Sequence, residues 1–345
     1  MRHIVLFLAA VYVVLFLSIL NRQDSSGLEA KPVVRIFGYA SFAGNWGPGP
    51  KLREIFEKTC NCRVEFIEAA DNSMLLQKLR LEGRSLGADL VVGFDQFDLQ
   101  KALAEQSWQK LNFADLDLEP EIKGRIRNDY FVPYDWGVLS FMSRKSEEKK
   151  PLGLDDLLDE SYKGRIALQD PRTSSPGFQF VWWVLRSKGE EEGFKYLRNM
   201  MKQAHSWSPS WSTSIGLYNR NQARYVFTYA TSPVYYSTEE KNEEHAALEF
   251  REPHPLQIEF AGIPAFCRQC DLAEKFLNLM LSHDGQKIIM EKNYMFPVLR
   301  GVKEGTPFAA LSHFARTMKF EIPSDAEVER ILKRWSDLRR GETGP

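Results

Sequence analysis

The sequence predicts an α/β fold of two lobes, each built on a mostly parallel sheet with helices on its faces. Three observations predict it. Short runs rich in β-branched and aromatic residues alternate with helical stretches, the pattern of βαβ units. The chain has 345 residues, enough for two such lobes with sizeable cores. No low-complexity linker or internal repeat separates the two α/β stretches, so the chain is expected to cross between lobes more than once.

The elements follow in order. Val33 to Tyr39 (VVRIFGY) is a strand, and the segment from Gly47-Pro48-Gly49-Pro50 to about Thr59 is a helix with Pro near its start. Arg63 to Glu68 is a second strand. Asp71 can cap a helix through MLLQKLRLEG that ends at Gly83. Ala88 to Phe94 is a short apolar strand, buried on both faces. The second α/β stretch starts after Pro133-Tyr134-Asp135-Trp136. It holds a strand from Arg165 to Asp170, a helix opened by Ser175-Pro176-Gly177, a strand from Tyr225 to Tyr229 and a helix opened by Ser232-Pro233. Leu256 to Phe266 reads as a long extended return segment. Helices follow at about Leu272–Ser282 and Asp284–Lys292, and a charged amphipathic helix at about Ala326–Arg340.

Composition excludes some classes. Lys plus Arg number 45 against 46 Asp plus Glu, so nothing electrostatic points to a nucleic acid partner. The 43% hydrophobic and 26% charged fractions are those of a globular protein. Met1-Arg2-His3 precedes an apolar run from Ile4 to Leu20 and then a polar stretch. That order reads as a signal peptide or an uncleaved signal anchor, and it places the rest of the chain outside the cytoplasm. Leu28-Glu29-Ala30 is the nearest approach to a cleavage pattern, and no Cys follows the run to take a lipid. Four cysteines form two tight pairs, Cys60/Cys62 and Cys267/Cys270. Disulfides or inert thiols suit them better than zinc or a redox motif, and four cysteines allow three connectivities.

Catalytic signatures are missing. The chain has no P-loop, no G-x-G-x-x-G after the first strand, no H-E-x-x-H and no G-x-S-x-G elbow. Ser146 to Lys149 matches S-x-x-K by chance within a charged stretch, and the six His are scattered without metal-ligand spacing. Thr173-Ser174-Ser175-Pro176-Gly177 and Tyr229-Ala230-Thr231-Ser232-Pro233 are more informative. Each follows a strand and places Ser at the helix N-cap and Pro at the first helical position. Such starts offer free N–H groups and a positive dipole end to an anion, although plain capping explains either one alone. Aromatics gather at the same strand-to-helix junctions: Tyr39, Trp46, Trp211, Tyr229, Tyr235 and Tyr294. There they suit a flat, positively charged ligand, because ring faces attract cations. Asp71 reads first as a cap and second as a hydrogen-bond partner for a ligand amine.

Several of these blocks, in this order, resemble the periplasmic thiamine-binding proteins of bacterial ABC importers. The matching blocks are Tyr39 to Pro50, Cys60-Asn61-Cys62, Asp170 to Gly177, Tyr229 to Pro233 and Asn293 to Pro297. The resemblance covers nearly all of the chain after Lys31. It implies a type II periplasmic-binding-protein fold with the ligand in a cleft between lobes. The expected division is 31–136 with 258–310 in one lobe and 137–257 with 311–345 in the other, after the export segment at 1–30. It further implies contacts from Asp71, Asn72, Ser174, Ser175, Trp211 and Tyr229 through Ser232 (Tyr229, Ala230, Thr231, Ser232), with Tyr39, Trp46, Tyr235 and Tyr294 as aromatic walls. The rings would hold the pyrimidine and thiazolium of thiamine, the helix starts its hydroxyethyl group or phosphate, and Asp71 its amino group and charge.

The implied function is capture of thiamine or its mono- and diphosphate by a periplasmic monomer and delivery to an ABC permease and its ATPase, with no cofactor, metal or catalytic residue. The resemblance breaks at Ala40, where a member of the family carries Asp, and at Tyr294, which replaces a Trp. Cys267/Cys270 and the long apolar N-terminus are not family features. Two competitors share the fold: a thiamine-degrading enzyme with a Cys nucleophile, and a binder of another solute such as a polyamine or an iron chelate. Tyr235-Tyr236 is the pair that keeps iron in play.

Overall fold

The computed structural model describes residues 30–113, 115–125, 128–311 and 316–341. The export segment expected at 1–30 lies almost wholly outside the described residues. One compact unit begins at Val33. Its elements are β1 (Val33–Tyr39), α1 (Ala40–Ala43), α2 (Gly49–Cys60), β2 (Arg63–Ala69), α3 (Ser73–Glu82), β3 (Leu90–Asp95), α4 (Leu99–Glu105) and β4 (Phe131–Arg144). Then come β5 (Ile166–Gln169), α5 (Ser175–Lys188), α6 (Glu190–Gln203), β6 (Ser206–Ser208), α7 (Trp211–Asn219), β7 (Tyr225–Tyr229), α8 (Ser232–Thr238) and β8 (His245–Leu248). The chain returns through β9 (Leu256–Gly262), α9 (Cys270–Met280), α10 (His283–Asn293), β10 (Phe296–Pro297) and α11 (Asp325–Arg340).

The strands follow the order β2-β1-β3-β9-β4-β7-β5-β6. β2, β1 and β3 are parallel to one another, as are β7, β5 and β6. The two parallel groups are joined by β9 and β4, which run antiparallel to each other and to their outer neighbours. β4 has 14 residues and serves both halves: Phe131–Val138 pair with β9, and Leu139–Ser143 pair with β7.

Two large cores form on either side of these strands. One gathers Ile36, Leu52, Leu79, Val92, Phe260 and Phe276, and the other Phe141, Leu168, Phe180, Trp183, Phe227 and Trp335. The result is a two-lobed α/β molecule. β3 and β9 are buried along their whole length, as strands covered on both faces must be. α5 buries eleven consecutive residues, Ser175–Leu185, and so sits inside its lobe, in contact with α6. Trp335 of α11 anchors that helix, packing its ring tilted at 56° against Trp207 at 4.4 Å and donating from Nε1 to Asp170.

The structure departs from the sequence reading at several points. Pro133 to Trp136 is not a break before a new element but part of β4, with a register shift between Pro133 and Asp135. Proline normally excludes an interior strand position, and an irregularity of this kind is how a sheet tolerates it. The return segment stops as a strand at Gly262 instead of Phe266, because Ile263-Pro264 leaves the ladder. The helix starts are one residue off: Ser174 and Thr231 are the N-caps, Ser175 and Ser232 the first helical residues, and neither cap's side chain bonds the amides of its own helix. Asp71 does not cap its own helix, whose N-cap is Asn72. The cysteines pair within each couple, Cys60–Cys62 and Cys267–Cys270.

Two glycines make room for aromatic rings. Gly93 has φ +115° at a register shift in β3, and a Cβ there would lie 2.3 Å from the Tyr39 ring. A Cβ on Gly137 would lie 2.8 Å from the ring of Tyr229. Gly93→Ala should therefore cost about 2–4 kcal/mol from backbone strain plus overpacking. Urea unfolding reads this directly. An unchanged midpoint would mean that Tyr39 is not held by this packing.

Candidate functional site

The seam between the lobes holds a cavity of about 390 Å³, within the range of small-molecule sites. Strand ends and helix starts converge on it. Tyr39 closes β1, Tyr229 closes β7, Trp211 opens α7 and Ser232 opens α8. Trp46 and Tyr235 form its lip, 52% and 37% exposed. Tyr294 meets Tyr235 edge-on at 5.3 Å and donates its hydroxyl to Glu239 at 2.9 Å. The Trp211 indole N–H donates to Thr228 Oγ1 at 2.9 Å, which fixes the ring at the wall.

The charge of the cavity is one-sided. Asp71 and Glu259 line it, and no lysine, arginine or histidine does among the described residues. Asp71 stands before α3 in the first lobe, where it accepts from Asn72 N, yet two further partners lie in the second. Its Oδ1 accepts from Ser175 N at 3.3 Å and its Oδ2 from Trp211 N at 2.9 Å, so one carboxylate caps α5 and α7 from across the cleft. The positive ends of both helices favour an anion there. Burial raises the Asp71 carboxyl to about 6 against those hydrogen bonds, and burial likewise raises Asp95 to about 6.

Glu259, only 2% exposed, sits in the middle of β9. It accepts from the hydroxyls of Tyr39 and Tyr134, each at 2.6 Å, from Asn72 Nδ2 at 2.9 Å and from Gln257 Nε2 at 3.0 Å. Directly opposite it in the ladder stands Asp135, fully buried, which accepts from Asn293 Nδ2 at 2.7 Å. Gln257 also donates to the Tyr229 hydroxyl at 2.8 Å. Burial pushes both carboxyls up, Asp135 the further because the Glu259 charge adds to it. Burial, and then the charges of Glu259 and Asp135, push the hydroxyls of Tyr39 and Tyr229 well above the usual tyrosine range.

Of the residues singled out from sequence, Tyr39, Trp46, Asp71, Asn72, Trp211, Tyr229, Ser232, Tyr235 and Tyr294 line this cavity. Ser174, Ser175, Ala230 and Thr231 do not. Ser174 is the buried N-cap of α5, Ser175 faces a smaller cavity behind the cleft, and Ala230 packs into the first core. Thr231 spends its hydroxyl on the carbonyl of Tyr294 at 2.5 Å. The two helix starts are engaged within the protein. Asp71 already holds the first, and α8 spans only seven residues while Ser232 Oγ bonds Thr228 Oγ1 at 2.8 Å.

Sequence reasoning missed Glu259, Asp135 and Asn293. A signal was present: Glu259 is the one charge in LQIEFAG, and Asp135 the one charge in FVPYDWG. A carboxylate in a strand that is otherwise apolar is expensive to bury and so carries information.

Comparison with known proteins places the chain. Residues 51–316 match the family model for bacterial extracellular solute-binding proteins, and the chain belongs to that family. It is 36% identical over 302 residues to the thiamine-binding periplasmic protein of Salmonella typhimurium, covering 87% of this chain and 91% of that protein. The corresponding Escherichia coli protein is 35% identical over 307 residues, covering 89% and 92%. A solved periplasmic thiamin binding protein superposes with a TM-score of 0.81 at 33% identity, covering 92% of this chain and 98% of that one. A fructose-6-phosphate-bound periplasmic protein, AfuA from Actinobacillus pleuropneumoniae, shares the fold at 17% identity and a TM-score of 0.76, with 90% and 99% covered. The fold is that of type II periplasmic binding proteins, and the relatives are named as binding proteins.

The buried acids give stability an unusual pH dependence. Asp71 and Asp95 are raised to about 6 in the native state, against roughly 3.9 in an unfolded chain. The native protein therefore takes up protons between about pH 6 and 4 that the unfolded chain does not. The stability this gives is full at the acid end of that window and lost as the pH rises through 6. Asp170 and Glu190, held low by Arg172 and by Arg330 and Arg334, lose theirs only at lower pH. The thermal midpoint of the ligand-free protein should rise from pH 7 to pH 5, with Asp71 contributing on the order of 1–2 kcal/mol. Asp71→Asn should flatten that rise; a midpoint that falls steadily from pH 7 to 5 would contradict the assignment.

Proposed function

We propose that this chain captures thiamine outside the cytoplasm and delivers it to the permease and ATPase of an ABC importer. The observation that carries this reading is a cavity walled by aromatic rings, with two carboxylates and no cationic side chain at its lining. Such a site fits a flat organic cation: the rings offer their negative faces and the carboxylates its counter-charge. The thiazolium of thiamine has that character, and its aminopyrimidine offers hydrogen bonds to Asp71, Asn72 and Glu259. The relatives named for thiamine make it the first choice among organic cations.

Binding rather than turnover is the proposed role. All four cysteines are held in disulfides, so the thiol nucleophile of a thiamine-degrading enzyme has no candidate here. Both bridges suit an oxidising compartment such as the periplasm. Among the described residues no helix is long and apolar enough to cross a membrane. Tyr235 and Tyr236 give little support to iron: their rings stand at 85° and the Tyr236 hydroxyl donates to Asn219 at 2.7 Å.

In the proposed cycle the lobes, divided near 136 and 258 on the crossing strands, close on the ligand by rotation about those strands. Closure brings Asp71 onto α5 and α7, and the closed monomer docks on the permease. Thiamine phosphates fall within the same reading, with their phosphate competing with Asp71 for the amides of Ser175 and Trp211.

Calorimetric titration of the ligand-stripped protein with thiamine, its monophosphate and its diphosphate tests this. Thiamine should bind with micromolar or tighter affinity and be recovered unchanged. Trp211→Ala should weaken it about 2- to 30-fold, the range of one desolvated cation–π contact. No heat and no thermal shift with any of the three would remove thiamine as the ligand.

A further inference from the structure

Three acids stand side by side across the strands that join the lobes. Asp95 of β3 is registered with Glu259 of β9, which is registered with Asp135 of β4. All three are at most 2% exposed. Like charges directly opposite one another on a ladder repel, and burial sharpens the repulsion. Asp95 escapes by turning into its own loop, where its Oδ1 accepts from Phe97 N at 2.7 Å, and it faces the smaller cavity. Asp135 and Glu259 have no such escape.

The groups facing this pair are neutral donors or further acids. From β1, β4 and β7 come Tyr39, Tyr134 and Tyr229. Asn72 precedes α3 and Asn293 ends α10. The remaining charged neighbours are Asp71 and Asp95, which act on Tyr229 together with the pair. No cationic side chain is among these groups.

The hydrogen bonds distinguish the two carboxyls. Glu259 accepts four, from Tyr39, Tyr134, Asn72 and Gln257, which is the full capacity of an ionised carboxylate. Asp135 accepts one on Oδ2, and its Oδ1 is buried with no donor. An ionised oxygen left so would cost more than a protonated, neutral one. A proton on Asp135 leaves the pair with one negative charge, carried by Glu259 at the cavity wall.

We propose that Glu259, backed across the ladder by Asp135, is the cation-recognition subsite of the cleft, and that the pair gives up its one proton to solvent when an organic cation settles against Glu259. The O–H bond of Asp135 breaks, its electron pair stays on the carboxylate, and the proton goes to solvent, where the buffer takes it up. The ligand's positive charge, on the cavity side of Glu259, takes over from the proton in balancing the pair. An opposite charge within about 4–6 Å favours the ionised form of a carboxyl and so works against the burial that holds the proton on the pair. The inference rests on the reading of the ligand as an organic cation. Asp135 acts through Glu259 and is a positioning residue; Glu259 is the contact.

Thiamine titrated by calorimetry at pH 7 in phosphate and in Tris, whose ionisation enthalpies differ, counts the protons exchanged on binding. The intact protein should release roughly one more proton per thiamine than Asp135→Asn, which keeps an acceptor for Asn293 and has no proton to give. Near-ultraviolet circular dichroism checks that the variant is folded. Glu259→Gln should bind thiamine at least tenfold more weakly. Heat that is the same in both buffers, or a proton count unchanged in Asp135→Asn, overturns this inference and leaves thiamine capture standing. Unchanged affinity in Glu259→Gln overturns the subsite. No heat with thiamine in any variant overturns both readings.

Discussion

The antiparallel pairing of β4 with β9 is the constraint on which the rest of the molecule depends. Seven residues of β4, from Phe131 to Val138, are registered with β9, and the same strand then continues into the second sheet. Each lobe owns a core of its own, and the parallel strands of one never pair with those of the other. What holds the halves in register is therefore a narrow ladder rather than a broad apolar interface. A narrow ladder can flex by small backbone rotations while both cores stay packed, which is the mechanical requirement of a protein that opens and closes.

The same ladder places the charge. Because residues opposite one another in a sheet share a face, the pairing that joins the lobes also sets Asp135 beside Glu259 and turns Glu259 into the cleft. A ring of neutral donors stabilises that negative charge: Tyr39, Tyr134, Asn72 and Gln257. Neutral donors leave the net charge in place, whereas an arginine would cancel it. The cleft is thus prepared for a positive ligand. Position 40 carries Ala, and the carboxylates at the cavity are Asp71 and Glu259.

Asp71 links charge to shape. It sits on one lobe and bonds the first amides of two helices on the other. Unpaired helix amides need an acceptor, and here the acceptor arrives only when the lobes are together. Rim contacts add to it: Lys101 pairs with Glu329, and the Gln77 amide reaches the carbonyl of Arg172. Exposed pairs of this kind contribute little each, so the buried carboxylate is the strongest of these contacts between the lobes.

Much of this was readable from the chain alone. Alternating strand and helix periods, two Ser-Pro helix starts and aromatics at strand ends determined an α/β fold with a ring-lined site, because these are local patterns written in consecutive residues. Nine of the named residues indeed face one cavity. The tertiary structure alone decided the rest. Pro133 hid a strand of 14 residues, since local rules read proline as a break and only the partner strand shows the register shift that admits it. Asp71 read as a cap for its own helix, yet it caps two others more than a hundred residues away. Glu259 and Asp135 are 124 residues apart in sequence and neighbours only through the ladder. A side chain's type is fixed by the sequence, but its charge partner is fixed by whichever strand lies opposite, and that is a property of the folded sheet.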